Sequence, residues 1–254
     1  MTDAAETGIS LHPDPPALAA AVADLVEEAA RKSIRARGVF HFVLCGGMTP
    51  RTLYRILDRP PRWGRIDWTR TQVWFGDERC VPPTDVQSNF WMANGALIER
   101  VPLRANEVHR IHGEADPKTA AEEYEAEIRE AFPQGVPQFD LVLLGMGADG
   151  HTASLFPASP GLTEQERLVI PAKAPVHPED RVTLTLRVLN AAREVAFLIT
   201  GAPKAETFGW IIRERLKGEG AKLPAALVQP TEGRVHWFVD RDAAPFLRPK
   251  AGEG

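Results

Sequence analysis

FDLVLLGMGADGHT (139–152) is the stretch on which the reading of this chain turns. Leu141, Val142, Leu143 and Leu144 are apolar without alternation, which suits a strand covered on both faces rather than one with a wet side. Gly145, Gly147 and Gly150 then surround Asp149 and His151, so polar groups stand directly at the strand's carboxyl end. Outward from here the pattern repeats. VFHFVLC (39–45), TQVWF (71–75), VHRI (108–111), RVTLTL (181–186), EVAFLIT (194–200) and VHWFVD (235–240) read as further strands. Helical spacing marks 16–34, 88–98, 117–132 and 203–216, while Thr49 and Pro50 open another helix with Thr49 as its cap. Alternating strands and helices predict an α/β fold, a mostly parallel sheet with helices on both faces. The proline-rich 171–178 reads as an ordered loop or a small lid.

Composition narrows the classes. The chain has 254 residues, 44% hydrophobic and 25% charged, so a single domain over 1–254 is expected, with 1–8 and 248–254 frayed. A net charge of −4 offers no basic field for nucleic acid, and an anionic ligand would need a local cluster of positive groups. Cys45 and Cys80 are too few for a disulfide framework and read as reduced thiols. The N-terminal residues lack the basic start and apolar run of a signal peptide, and no stretch nears the roughly 20 apolar residues of a membrane span. A cytoplasmic location without a membrane partner is expected, and the oligomeric state is open between a monomer and a small homo-oligomer.

In an open parallel sheet, ligands sit at the carboxyl ends of the strands. Four segments carry polar groups there. Gly46-Gly47-Met48-Thr49-Pro50 suits a helix N-terminus with free N–H groups, an anion site or a plain tight turn; it has neither the dinucleotide fingerprint nor the Walker lysine. Gly76-Asp77-Glu78-Arg79 places two acids and an arginine after a strand. The Asp149 and His151 turn is the third, and Thr200-Gly201-Ala202-Pro203-Lys204 adds a cation. His109 and His112 have a spacing that metal sites use, but no Cys or His clusters near them, so no metal is expected.

Together these segments resemble the 6-phosphogluconolactonase family, within the glucosamine-6-phosphate isomerase/6-phosphogluconolactonase superfamily. The resemblance rests on LCGGMTPRTLY (44–54), WFGDERCVPPTDVQSNF (74–90), FDLVLLGMGADGHTASLFP (139–157), RVTLTLRVLNAAREVAFLITGAPKAE (181–206) and LPAALVQP (223–230). It implies a Rossmann-like fold of the glucosamine-6-phosphate deaminase type and hydrolysis of a phosphorylated sugar lactone without metal or coenzyme. It further implies His151 as general base and Arg79 as the arginine of the site, serving either phosphate or oxyanion. Gly46, Gly47, Met48 and Thr49, with Lys204, would hold the phosphate; Asp149 would hold the turn or orient His151, and Asp77 would position Arg79. Met48 stands where the family commonly has serine, and Ala148 where proline is frequent. The alternative is a deaminase or isomerase of an amino-sugar phosphate. Those enzymes follow DGH with a stretch bearing a carboxylate, whereas Thr152-Ala153-Ser154-Leu155-Phe156-Pro157 has none. A sugar-phosphate-binding regulator would add a DNA-binding helix pair, which this sequence does not suggest.

Overall fold

The computed structural model describes residues 8–217 and 222–247. In chain order the elements are β1 (Ile9–His12), α1 (Pro15–Arg37), β2 (Phe40–Leu44), α2 (Met48–Leu57), β3 (Thr71–Phe75), β4 (Asp77–Arg79), α3 (Asn89–Ala96), α4 (Pro117–Ala131), β5 (Leu141–Gly145), β6 (Val169–Lys173), β7 (Asp180–Leu184), β8 (Glu194–Ile199), α5 (Ala205–Lys217) and β9 (Arg234–Asp240). Side chains set the helix starts. Asp14, Ser88 and Asp116 accept from first-turn N–H groups of α1, α3 and α4, contacts each worth about 1 kcal/mol.

Six strands form a wholly parallel sheet in the order β1-β9-β8-β5-β2-β3. Its apolar strands are buried, as the continuous run at Leu141 to Leu144 required. Trp237 stacks on Phe197 at 4.2 Å and meets Phe208 of α5, while Trp74 meets Tyr124 of α4 and Phe132 just beyond it. Helices α1 and α2 pack on each other, with α1 along β1, β2, β8 and β9. The expected α/β architecture is the observed one.

Four expectations change. A second, antiparallel sheet of order β4-β7-β6 stands beside the first. RVTLTL belongs to it rather than to the central sheet, and the stretch 171–178, expected as an ordered loop or a small lid, begins inside strand β6. Pro171 is tolerated there because β6 lies at the sheet's edge, where a missing N–H costs least. VHRI is not a strand: Val108 bridges Val73 once, and His109 N donates to Val73 O at 2.8 Å. Beyond it Gly113 N and Ala115 N donate to Ile111 O and His112 O, so local turns take the groups a ladder would have used. Strands β1 and β4 went unread, being too short to show a period. The fraying expected of 1–8 and 248–254 falls outside the described residues except at Gly8, whose carbonyl accepts from Trp237 N at 2.8 Å.

Buried polar groups fix the packing. Glu125 of α4 accepts from Arg129, Arg167 and the N–H groups of Leu168 and Val169, tying α4 to the start of β6. Burial alone would raise its pKa, but the two arginines and the amides outweigh burial and hold it low. Trp74 Nε1 donates to His41 Nδ1 at 3.2 Å. Burial pushes His41 from an ordinary 6.5 down to about 4, with Asp140 opposing and His109 and Arg37 assisting.

A group depressed on folding binds fewer protons in the native state, so its contribution is complete above the unfolded value and is lost as pH falls from about 6.5 to about 4. At 1.36 kcal/mol per unit the loss from this one residue is at most about 3 kcal/mol. The denaturation midpoint is expected to drop across that window. His41→Gln, whose amide oxygen still accepts from Trp74, should flatten the slope; an unchanged pH profile would show that His41 is not the source.

Candidate active site

Because the central strands all run one way, the turns after β2, β3, β5, β8 and β9 leave from a single edge. The turn after β2 is set by Gly47, whose φ of 109° is left-handed territory that side chains avoid. It caps α2 without a side-chain bond. Thr49 is therefore not the cap: the helix starts two residues earlier than that cap would give, and the Thr49 hydroxyl lies 2.8 Å from that of Thr200. The N–H groups of Met48 and Thr49 stay without an intrahelical partner, as first-turn groups must, and Met48 is 72% exposed. After Thr200, the N–H of Gly201 donates to both carboxylate oxygens of Asp240 at 3.0 and 3.1 Å, which fixes the turn carrying Lys204. Burial lowers the pKa of Lys204 and Asp240 opposes it. Two sets of hydrogen-bond donors, the open N–H groups at the α2 start and the Lys204 ammonium, thus share one side of the edge through the Thr49–Thr200 contact.

His151 sits on the turn after β5. Asp149 Oδ1 accepts from His151 N at 3.1 Å and lies 2.6 Å from His151 Nδ1. An ionised carboxylate only accepts, so Nδ1 carries the proton and Nε2 presents its lone pair. Phe156 lies against the ring at 4.8 Å. A Cβ on Gly147 would stand 2.2 Å from His151 Nδ1 and 2.5 Å from the Asp149 carboxylate, so only glycine leaves room for the pair.

The turn after β3 becomes β4. Asp77 does not grip Arg79: its Oδ2 accepts from Ser154 Oγ at 2.7 Å and its Oδ1 from Asn89 Nδ2 at 3.1 Å. Asp77 therefore joins β4 to the His151 loop and to α3. Glu78 is spent differently again, accepting from Ser88 Oγ and the N–H groups of Arg79, Asn89 and Phe90; burial still raises its pKa against those bonds. Arg79 Nη1 donates to the carbonyl of Gln87, and Arg181 of β7 stands opposite Arg79 in register. Ser154 also donates its N–H to Thr183 Oγ1 at 3.2 Å. Ala153, at φ 48°, holds a backbone conformation costly for a residue with a Cβ, immediately before Ser154 turns to Asp77.

Sequence reading missed Ser154, Arg181, Thr183 and Asp240, and named Thr200 without giving it a role. The one available signal was the alternation of Arg181, Thr183 and Thr185 with apolar neighbours in RVTLTL, which marks a strand with one polar face. His109 and His112 do not converge: His109 bonds Glu127 and Gln72 and stacks on Trp74 at 3.8 Å, while His112 faces Glu123. Cys45 and Cys80 are free thiols, and burial raises Cys80 to about 11.

Residues 13–237 match the family model described as glucosamine-6-phosphate isomerases/6-phosphogluconolactonase. A 6-phosphogluconolactonase from Homo sapiens is 40% identical over 94% of this chain and 93% of its own. The solved structure of 6-phosphogluconolactonase from Trypanosoma brucei is 30% identical, covers 94% of this chain and 98% of that one, and superposes with a TM-score of 0.84. A monomeric glucosamine-6-phosphate deaminase, 19% identical with a TM-score of 0.75 over 94% of this chain and 99% of that one, shares the fold. On this evidence of sequence and architecture, the chain belongs to the glucosamine-6-phosphate isomerase/6-phosphogluconolactonase family.

Proposed function

We propose that this protein hydrolyses 6-phospho-D-glucono-1,5-lactone to 6-phosphogluconate in the oxidative pentose phosphate pathway. The observation that carries the chemistry is the Asp149–His151 pair, which leaves Nε2 of His151 free to take a proton. The relatives' shared name supplies the substrate. Residues 1–254 act as one domain, a monomer or small homo-oligomer in the cytoplasm. Two free thiols and the absence of a membrane-crossing helix among the described residues accord with that location.

The open N–H groups at the start of α2 and the Lys204 ammonium bind the phosphate. His151 Nε2 takes a proton from water as the water oxygen bonds to the lactone carbonyl carbon, and the carbonyl electron pair moves onto its oxygen. Collapse of this intermediate breaks the bond to the ring oxygen, which receives the proton back from His151 as a hydroxyl. The new carboxylic acid then ionises to solvent. Asp149 keeps the imidazole in the required tautomer throughout, and Arg79 offsets the negative charge on the substrate. For the deaminase alternative, the segment 152–157 offers no carboxylate to open a ring or move a proton.

The direct test follows disappearance of the lactone, generated from glucose 6-phosphate, against its spontaneous hydrolysis. No acceleration would sink the proposal, and ammonia release from glucosamine 6-phosphate would favour the alternative. His151→Ala is expected to lower turnover by about 100-fold to 10,000-fold, the usual share of a positioned base. Near-wild-type turnover in a folded variant would move the base elsewhere. Gly147→Ala should approach the same loss by displacing the ring. Lys204→Ala should chiefly raise KM, because a phosphate contact is made equally in ground and transition states; a loss confined to kcat would place Lys204 in the chemistry. Exhaustive chelation should leave the rate unchanged, and recovery only on adding a divalent ion would overturn that expectation.

A further inference from the structure

Arg181 is 6% exposed, yet its side chain bonds no acceptor among the described residues and its Nε is enclosed without a partner. The residue opposite it is another cation, Arg79. Burial, then Arg79, hold its pKa below the ordinary arginine value, with Asp77 and Glu78 opposing. Arginine nevertheless remains protonated in proteins, so the charge is not shed. A buried cation without a counter-ion is an arrangement that folds avoid unless something else completes it.

Placement says what completes it. Alternate residues of a strand share a face and residues directly opposite across a ladder share it too, so Asp77, Arg79, Arg181 and Thr183 lie on one face of the small sheet. Ser154 bonds both Asp77 and Thr183 on that face, which brings the His151 loop against it. The start of α2 and Lys204, joined through Thr49 and Thr200, belong to β2 and β8, whereas β4 continues from β3. Lys204 follows β8, three strand spacings or about 14 Å from β3, while the start of α2 follows β2, the neighbour of β3. The two arginines therefore lie beside the loop that carries the base, three strands from the one that leads to Lys204. Resting on the lactonase reading, we infer that Arg181 is a substrate-contacting residue that, with Arg79, cradles the oxygen at the reacting carbon: the carbonyl oxygen as it takes up negative charge, then the carboxylate of the product. Two guanidinium forks match a carboxylate and give an oxyanion more than one donor.

Arg181→Met keeps length and removes charge. It is expected to lower kcat by about 100-fold or more with little change in KM, the pattern of a lost oxyanion donor. The thermal midpoint should stay level or rise, because the variant removes an unpaired buried charge. Inhibition by 6-phosphogluconate should weaken by about tenfold or more, one lost charge-assisted contact, while glucitol 6-phosphate, with the same phosphate and no carboxylate, inhibits as before. Unchanged kcat with a lowered midpoint would make Arg181 structural and overturn the inference. Equal weakening of both inhibitors would make it a phosphate anchor and overturn it as well. Arg181→Lys, which keeps a charge without the fork, covers the case of a Met variant that does not fold: wild-type kcat and inhibition there would overturn the inference, and a partial loss confined to kcat and 6-phosphogluconate supports it. Wild-type protein inactive on the lactone would instead overturn the reading on which the inference rests.

Discussion

Hydrogen bonds between strands that all run in one direction govern this molecule. A parallel ladder needs a crossover between consecutive strands, and the crossovers put every strand-to-helix turn at the same edge. The glycine turn after β2, the acidic turn after β3, the His151 turn after β5 and the Lys204 turn after β8 become neighbours for that reason. Two further contacts stitch neighbours together, Thr49 with Thr200 and Ser154 with Asp77. Both join residues far apart in sequence, so the relative placement of the turns depends on the sheet's register and not on local chain geometry.

The central sheet was legible because its strands are long, apolar and bounded by glycine, as in FDLVLLG and EVAFLIT. The small sheet was not. Its strand β4 has three residues, its strand β6 contains a proline, and β7 carries polar groups at alternate positions. Each reads as loop or as ordinary strand until its partners are known, since antiparallel pairing supplies bonds that the sequence does not announce. The site divides in the same way. His151, Asp149 and Lys204 stand in turns whose glycines announce them, and Arg79 follows directly on such a turn. Arg181 stands on a strand whose partner the sequence did not reveal, and Asp77 was identified with the wrong partner because an Asp two residues from an Arg suggests an ion pair. The structure spends that carboxylate on Ser154 and Asn89.

That spending has an electrostatic result. The chain carries a net charge of −4, but around this edge its acids are committed to hydroxyl, amide and backbone donors: Asp77 to Ser154 and Asn89, Glu78 to three groups at the start of α3 and the N–H of Arg79, Asp240 to Gly201 and Ala243. Among the described residues none of these acids pairs directly with Arg79, Arg181 or Lys204, although Asp77 and Glu78 act on Arg181, and Asp240 on Lys204, through space. Positive potential in a site on an acidic protein thus arises from how the carboxylates are occupied rather than from an excess of cations. Such a site costs stability in the free protein, a familiar exchange where function needs charge held ready.

The pairing of β4 with β7 also shapes how the molecule comes together. Asp77 to Arg79 meets Arg181 to Thr183 across a large part of the chain, and the contact is only three residue pairs wide. Closing a long loop for so few bonds gives little return early in folding, and the approach of two arginines opposes it. The central sheet, with its longer ladders and apolar faces, is expected to condense first, and the face bearing Arg79 and Arg181 to lock last. By the same reasoning it opens first, so loss of activity should precede loss of the central sheet when the protein is slowly denatured.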